Sequence, residues 1–208
     1  METLHEIPLI LVCGFEPFQN QKINPSQKLI QELEKAKANT SEFDVFTTLV
    51  LPVGFKEAPE ILRNKIQEIK PSKVLMLGQA GGAAKVRLER VALNWQETSS
   101  ADEFGFSPPA GKIMHSGKEA YFSVMDLPRL RGRIEALNIP VEISLSAGGF
   151  VCNRLYYEFF NQCGTLLPGL FIHFPFLEEQ LVGNSEGKAL SWEIQQKAFW
   201  EILKFFKE

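Results

Sequence analysis

Ser146-Ala147-Gly148-Gly149-Phe150-Val151-Cys152-Asn153 joins an apolar run, Val141 to Leu145, to a stretch with helical spacing that begins near Phe150 and fades at Gly164. A strand that feeds a helix through consecutive small residues puts Cys152 on the first helical turn. There, unpaired backbone N–H groups and the positive end of the helix dipole suit an anionic sulfur. That is a nucleophile's position, although an arbitrary cysteine is more often a small buried apolar residue. The glycines ahead of Cys152, and His173 further along, favour the nucleophile.

Outward from this stretch, apolar runs alternate with helical patterns. Ile7 to Cys13, Phe43 to Val53, Lys73 to Leu77 and Leu170 to Phe174 read as strands, with His173 near the end of the last. Asn24 caps a helix with Pro25 at its first position and a face of Leu29, Ile30 and Leu33, running to about Ala38. Lys56 to Ile69 is a second helix with Ile61, Leu62, Ile66 and Ile69 on one stripe, stopped before Pro71. Val86 to Leu93 alternates apolar with charged residues, which predicts one strand whose polar face carries Arg87, Glu89 and Arg90. Trp95 to Gly117 has no periodicity and is a long loop, a kind of segment that is usually functional or mobile. A short strand over Ala120 to Met125 and helices over Leu127 to Leu137, Phe150 to Cys163 and Ser191 to Phe206 complete the chain. The last helix has an apolar face of Trp192, Phe199, Ile202, Leu203 and Phe206.

This alternation predicts an α/β fold, a three-layer α/β/α sandwich with a mostly parallel, twisted mixed sheet, in a single domain over 1–208. In such sheets sites lie at the carboxyl ends of strands, so Gly14, Gly78, Gly148 and His173 are expected to meet at one edge.

Composition narrows the function. The 208 residues are 45% hydrophobic with a net charge of -3, and Lys and Arg are scattered, which argues against nucleic acid as a partner. No apolar run reaches the roughly 18 residues of a membrane span, and the charged start does not make a signal peptide. The chain reads as cytoplasmic and without a membrane partner. Three cysteines with no metal-type spacing fit a reducing compartment, and no metal site is expected. Of these, Cys13 belongs to a buried strand and Cys163 to a helix end, so neither is read as catalytic.

A thiol nucleophile needs a base and a third group that orients the base. His5 lies in the chain start and His115 in the long loop, both read as solvated, which leaves His173 as the base. Glu89 follows closely on the glycine-rich turn Gly78-Gln79-Ala80-Gly81-Gly82 and is the orienting acid, although taken alone it reads as an exposed strand carboxylate.

These residues resemble the blocks of pyroglutamyl peptidase type I, the pyrrolidone-carboxylate peptidase family. The blocks are Gly14-Phe15-Glu16-Pro17-Phe18 with Asn24-Pro25-Ser26, Gly78 to Gly82 with Glu89-Arg90-Val91-Ala92-Leu93-Asn94, Ser146 to Asn153, and Phe171-Ile172-His173-Phe174-Pro175 with Glu179-Gln180. They run in the family's order from about Leu9 to Gln180. The resemblance implies a cytosolic cysteine peptidase that removes an amino-terminal pyroglutamyl residue from blocked peptides, with no cofactor and often as a homo-oligomer. By position, Cys152 matches the nucleophile, His173 the base and Glu89 its orienting acid. Phe15, Phe18 and Phe150 match positions that line the lactam pocket, and Gln79 a polar group near the bound ring. The substrate chemistry agrees. An uncharged five-membered lactam needs flat apolar walls and one or two amide partners.

The chain also departs from the family pattern. After Asn94 the family usually continues through an Asp-Ala-Arg segment whose arginine is thought to help hold the oxyanion, and Ser99 stands at that position. Arg87 and Arg154 are the candidate substitutes, and Gly149 replaces a usual threonine. These departures motivate an alternative, a homologue that binds a pyroglutamyl or lactam ligand without turnover. A nucleoside-processing enzyme on a similar scaffold is a weaker reading that rests on fold analogy alone.

Overall fold

A strand buried on both faces must give its backbone hydrogen bonds to neighbouring strands, and this requirement assembles the apolar runs into one sheet. A computed structural model describes residues 9–181 and 187–208. In chain order its elements are β1 (Ile10–Phe15), α1 (Pro25–Asn39), β2 (Phe46–Leu51), α2 (Glu57–Ile69), β3 (Lys73–Ala80), β4 (Val86–Glu89), β5 (Val91–Leu93), β6 (Ala120–Phe122), α3 (Leu127–Glu135), β7 (Val141–Ser144), α4 (Val151–Cys163), β8 (Gly169–Leu177), β9 (Ala189–Leu190) and α5 (Trp192–Lys207). The main sheet has the order β2-β1-β3-β8-β4-β7, with β9 beside the far end of β8, while β5 and β6 form a separate antiparallel ribbon. Every pair in the main sheet is parallel except β4 with β8.

Strand alternation divides the core into two layers. Leu75, Leu77, Leu88, Leu170, Ile172 and Phe174 pack under α1, α3 and α5. On the other face, Leu11, Cys13, Val74, Met76 and Phe171 pack under α2 and α4. The result is the expected three-layer sandwich with a mixed, mostly parallel sheet.

Several local expectations change. Ile7 and His5 lie outside the described residues. The strand expected to end at Leu77 continues through Gly78 to Ala80 and turns at Gly81-Gly82. The single strand expected over Val86 to Leu93 breaks at Arg90. Arg90 is a corner, with its N–H donating to Ser144 O at 2.8 Å and its carbonyl accepting from Ser123 N at 3.0 Å. β8 continues past His173 and Pro175 to Leu177, and the proline is tolerated because the β4 ladder reaches only His173. In α2 the buried residues are Ala58, Pro59 and Leu62, and Ile61 is exposed.

The expectation of a single carboxyl edge also needs correction. A parallel return needs a crossover of about a dozen residues or more, and only residues 81–85 separate β3 from β4, so β4 must run back antiparallel. β7 is parallel to β4 and therefore also runs against β8. Gly78 and His173 sit inside strands, and the glycines before Cys152 follow a strand of opposite direction.

The start of α1 holds the loop after β1. Asn24 Oδ1 accepts from Ser26 N at 3.0 Å and Asn24 Nδ2 donates to Glu16 O at 3.0 Å, while Ser26 Oγ accepts from Phe15 N at 2.9 Å. Asn24→Ala removes a buried cap and strands the Glu16 carbonyl. It is expected to lower the unfolding free energy in urea by about 2 kcal/mol.

Candidate active site

The antiparallel pairing of β4 with β8 sets Arg87 opposite His173 and Glu89 opposite Phe171. All four share the sheet face covered by α4, because their neighbours Leu88 and Ile172 belong to the opposite core. Glu89 and His173 are diagonal cross-strand neighbours, within reach of longer side chains. His173 Nδ1 lies 2.8 Å from Glu89 Oε1. Glu89 is fully buried and His173 is 5% exposed. Glu89, which taken alone reads as an exposed strand carboxylate, is thus an interior one.

Packing bounds the imidazole on one further side and steadies the strand that bears Glu89. The Phe171 ring lies 4.8 Å from it, centroid to centroid, and Tyr156 OH donates to the Glu89 carbonyl at 3.0 Å. A Cβ on Gly78 would lie 2.8 Å from the Phe171 ring and 3.1 Å from His173 Cδ2, so glycine makes room for both rings.

Cys152 is half-buried on the first turn of α4, near enough to His173 for its sulfur to act on the imidazole's charge. With Nδ1 committed to Glu89, Nε2 is the nitrogen left for the sulfur. Phe150, the residue at the helix N-cap, provides no side-chain cap, so the first-turn N–H groups have no side-chain acceptor there. Gly148 has φ 84°, a conformation that favours glycine, and it sets the turn into the helix. Asn153, fully buried, accepts from Leu93 N at 3.0 Å and donates to Leu93 O and Trp95 O, which locks α4 to β5.

Burial disfavours a charged His173, but it is outweighed by the Cys152 sulfur, as a negative charge and hydrogen-bond acceptor, and by the Glu89 carboxylate. The imidazole's pKa is pushed up to about 9. Burial pushes the Cys13 thiol well up, and that of Cys163 up as well, in keeping with inert sulfurs.

Aromatic rings stand beside the cysteine. Phe18 stacks on Phe150 at 6.1 Å, and Phe150 meets Phe55 edge-on at 5.2 Å. Phe15, expected as a wall, is 3% exposed and packs against Phe171 at 6.5 Å. Phe55 and Asp102 escaped the sequence reading. Asp102 accepts from the backbone N–H groups of Phe55, Phe104 and Phe106, and thereby pins the long loop behind this wall. An isolated aspartate in a loop has no periodicity to reveal such a role.

Gln79 alternates with Gly78 and so shares the face of Leu75 and Leu77, opposite His173. Its Oε1 accepts from Gln180 Nε2 at 2.9 Å. Each candidate arginine faces a carboxylate, although Arg87 Nε makes no hydrogen bond among the described residues. Arg87 Nε lies 3.1 Å from Glu142 Oε1, and Arg154 contacts Glu158 and donates to Gln96 Oε1 at 2.8 Å. Ser99 and His115 are exposed. A Cβ on Gly149 would lie 2.3 Å from the Glu97 carbonyl, so glycine at this position admits the loop that bears Glu97 to Ser99. Among the described residues, no group of three or more His, Cys, Asp or Glu could hold a metal ion.

Two outcomes follow from the buried pair. The folded value of His173 lies above the ordinary 6.5, so its stabilisation is complete below pH 6.5 and is lost as pH rises through about 9. The gap in unfolding free energy between wild type and His173→Gln should therefore narrow across that window in urea titrations. Gly78→Ala should cost about 1–3 kcal/mol and lower the His173 titration midpoint measured by NMR.

Comparison with known proteins gives a consistent picture. Residues 9–200 match the family model described as pyroglutamyl peptidase. A pyrrolidone-carboxylate peptidase from Lactobacillus acidophilus is 35% identical over 94% of this chain and 96% of its own length, and one from Brachyspira hyodysenteriae is 33% identical over 93% and 96%. The crystal structure of pyrrolidone carboxyl peptidase from Fervidobacterium islandicum superposes with a TM-score of 0.87 at 32% identity, covering 96% of this chain and 98% of that one. That of pyroglutamyl peptidase I from Bacillus amyloliquefaciens superposes with a TM-score of 0.85 at 28% identity, covering 96% and 95%. By the span of the family match and the identity of these relatives, the chain belongs to the pyroglutamyl peptidase family and is a pyroglutamyl-peptidase I-like hydrolase.

Proposed function

We propose that the chain is a cysteine peptidase that releases an amino-terminal pyroglutamyl residue from blocked peptides, with Cys152 as nucleophile, His173 as acid and base, and Glu89 as the group that orients His173. The observation that carries this reading is the pairing of His173 Nδ1 with the buried Glu89 Oε1 at 2.8 Å, with the Cys152 sulfur close enough to raise the proton affinity of the same ring. Glu89 holds the tautomer whose Nε2 faces the sulfur and offsets the charge that the ring gains.

In the reaction the Cys152 thiolate attacks the carbonyl that joins pyroglutamate to the next residue, forming a C–S bond and an oxyanion. Backbone N–H groups on the first turn of α4, including that of Cys152, stabilise the oxyanion. The C–N bond then breaks as His173 passes its proton to the departing amine. Water attacks the resulting thioester and gives a proton to His173, and the C–S bond breaks to release pyroglutamate and restore the ion pair. Each step conserves charge and protons, and none draws on a cofactor. Three free cysteines suit a reducing cytoplasm.

The stacked Phe18 and Phe150 rings support a flat apolar pocket for the lactam, with Phe15 behind it. The β1–β3 ladder ends at Cys13 and Met76, while β3 stays paired with β8 as far as Ala80. Beyond Met76 the β1-facing edge of β3 thus presents backbone groups, those of Gln79 among them, that can serve a lactam amide.

The second reading, lactam binding without turnover, draws on the pairing of Arg87 and Arg154 with acids and on the exposure of Ser99. Release of a fluorescent amine from its pyroglutamyl amide under reducing conditions separates the two. The peptidase reading predicts turnover that Cys152→Ala abolishes, that Glu89→Gln lowers by about 10²–10⁴-fold, and that falls as pH rises through about 9 and His173 loses the proton meant for the leaving group. Binding of the amide with no cysteine-dependent release would establish the second reading instead.

A further inference from the structure

Beyond β8 the chain makes a 3₁₀ turn, Glu178–Leu181, that returns Gln180 toward the end of the sheet. Gln180 Oε1 accepts from Leu177 N at 2.9 Å, and its Nε2 donates to Ile23 O at 3.0 Å and to Gln79 Oε1 at 2.9 Å. Gln21 Oε1 lies at the longer distance of 3.4 Å from the same nitrogen. One side chain thus ties together the ends of β8 and β3 and the loop between β1 and α1. Its orientation is determined, because exchanging oxygen and nitrogen would set oxygen against the Ile23 carbonyl and nitrogen against the Leu177 N–H.

The place of this bridge matters because the β1–β3 ladder has already stopped at Cys13 and Met76. Past that point β1 is still held to β2, and Glu16 N donates to Leu51 O at 2.9 Å, so the loop's start belongs to the β2 side. Gln180 joins the later part of that loop to β3. The loop also carries Phe18, which stacks on Phe150.

We propose that Gln180 is a positioning residue for the lactam pocket. It sets the distance between the Phe18 loop and the end of β3, and the side chain of Gln79 acts through it on the sheet face away from His173. This inference rests on the proposed lactam pocket. Gln180 touches no reacting atom, so its loss loosens the walls around the ring and leaves the Cys152–His173–Glu89 line in place.

The test is a cycle of Gln180→Met, Gln79→Met and the double variant, assayed with the pyroglutamyl amide. In parallel, calorimetric binding of 2-pyrrolidone is measured with the same substitutions in a Cys152→Ala background. Each single variant is expected to raise KM and weaken 2-pyrrolidone binding by about 10-fold with kcat within about 3-fold, and the double variant to be no worse than either single. If Gln180→Met does not fold, Gln79→Met alone severs the same bridge and must show the same split. A fall in kcat at unchanged KM, multiplicative losses in the double variant, or variants equal to wild type would overturn the role of Gln180. Wild-type protein that neither hydrolyses the amide nor binds 2-pyrrolidone would instead overturn the pocket itself, and the inference with it.

Discussion

A carboxylate with no exposed surface needs a partner, and for Glu89 that partner is the imidazole of His173. Oε1 is committed to Nδ1, while Oε2 has no hydrogen-bond partner among the described residues, so the ring is the group that balances the charge. The pairing exists because β4 runs antiparallel to β8, which sets the two side chains on one face as diagonal neighbours. That direction is imposed by the shortness of the β3–β4 connection. The length of a turn therefore decides whether the imidazole has its acid.

Around this pair the structure is arranged to keep the ring still. Gly78 yields space for the Phe171 ring and the imidazole, Tyr156 holds the Glu89 carbonyl, and the sulfur approaches from a helix whose first turn is uncapped by side chains. Asn153, next to Cys152, takes the backbone of Leu93 and Trp95 as its partners, so the helix that bears Cys152 is registered against the strand that follows Glu89. Both sides of the Cys152–His173 contact are thus anchored to the same short piece of chain, Val86 to Trp95.

The middle of the long loop is held by a buried carboxylate. Asp102 collects three backbone N–H groups, and through Phe55 it supports Phe150 and the stack with Phe18. Gly149 and the loop at Glu97 fit each other, since a side chain at 149 would meet the Glu97 carbonyl at 2.3 Å. Gly149 and the run Glu97 to Ser99 are, in this chain, one packing solution.

The chain by itself determined the layer architecture and most element positions, and it singled out the cysteine, histidine and glutamate that the proposed function uses. Periodicity, caps such as Asn24 and the small residues before Cys152 are local features that do not depend on the rest of the fold. Strand direction, burial of Glu89 and the side on which Gln79 projects depend on which strands become neighbours. The charged alternation of Val86 to Leu93 looked like a surface because nothing local reveals that β8 covers one edge and α4 one face. Pairings across more than eighty residues, such as Glu89 with His173, or across about a hundred, such as Gln79 with Gln180, have no local signature, and only the folded chain decided them.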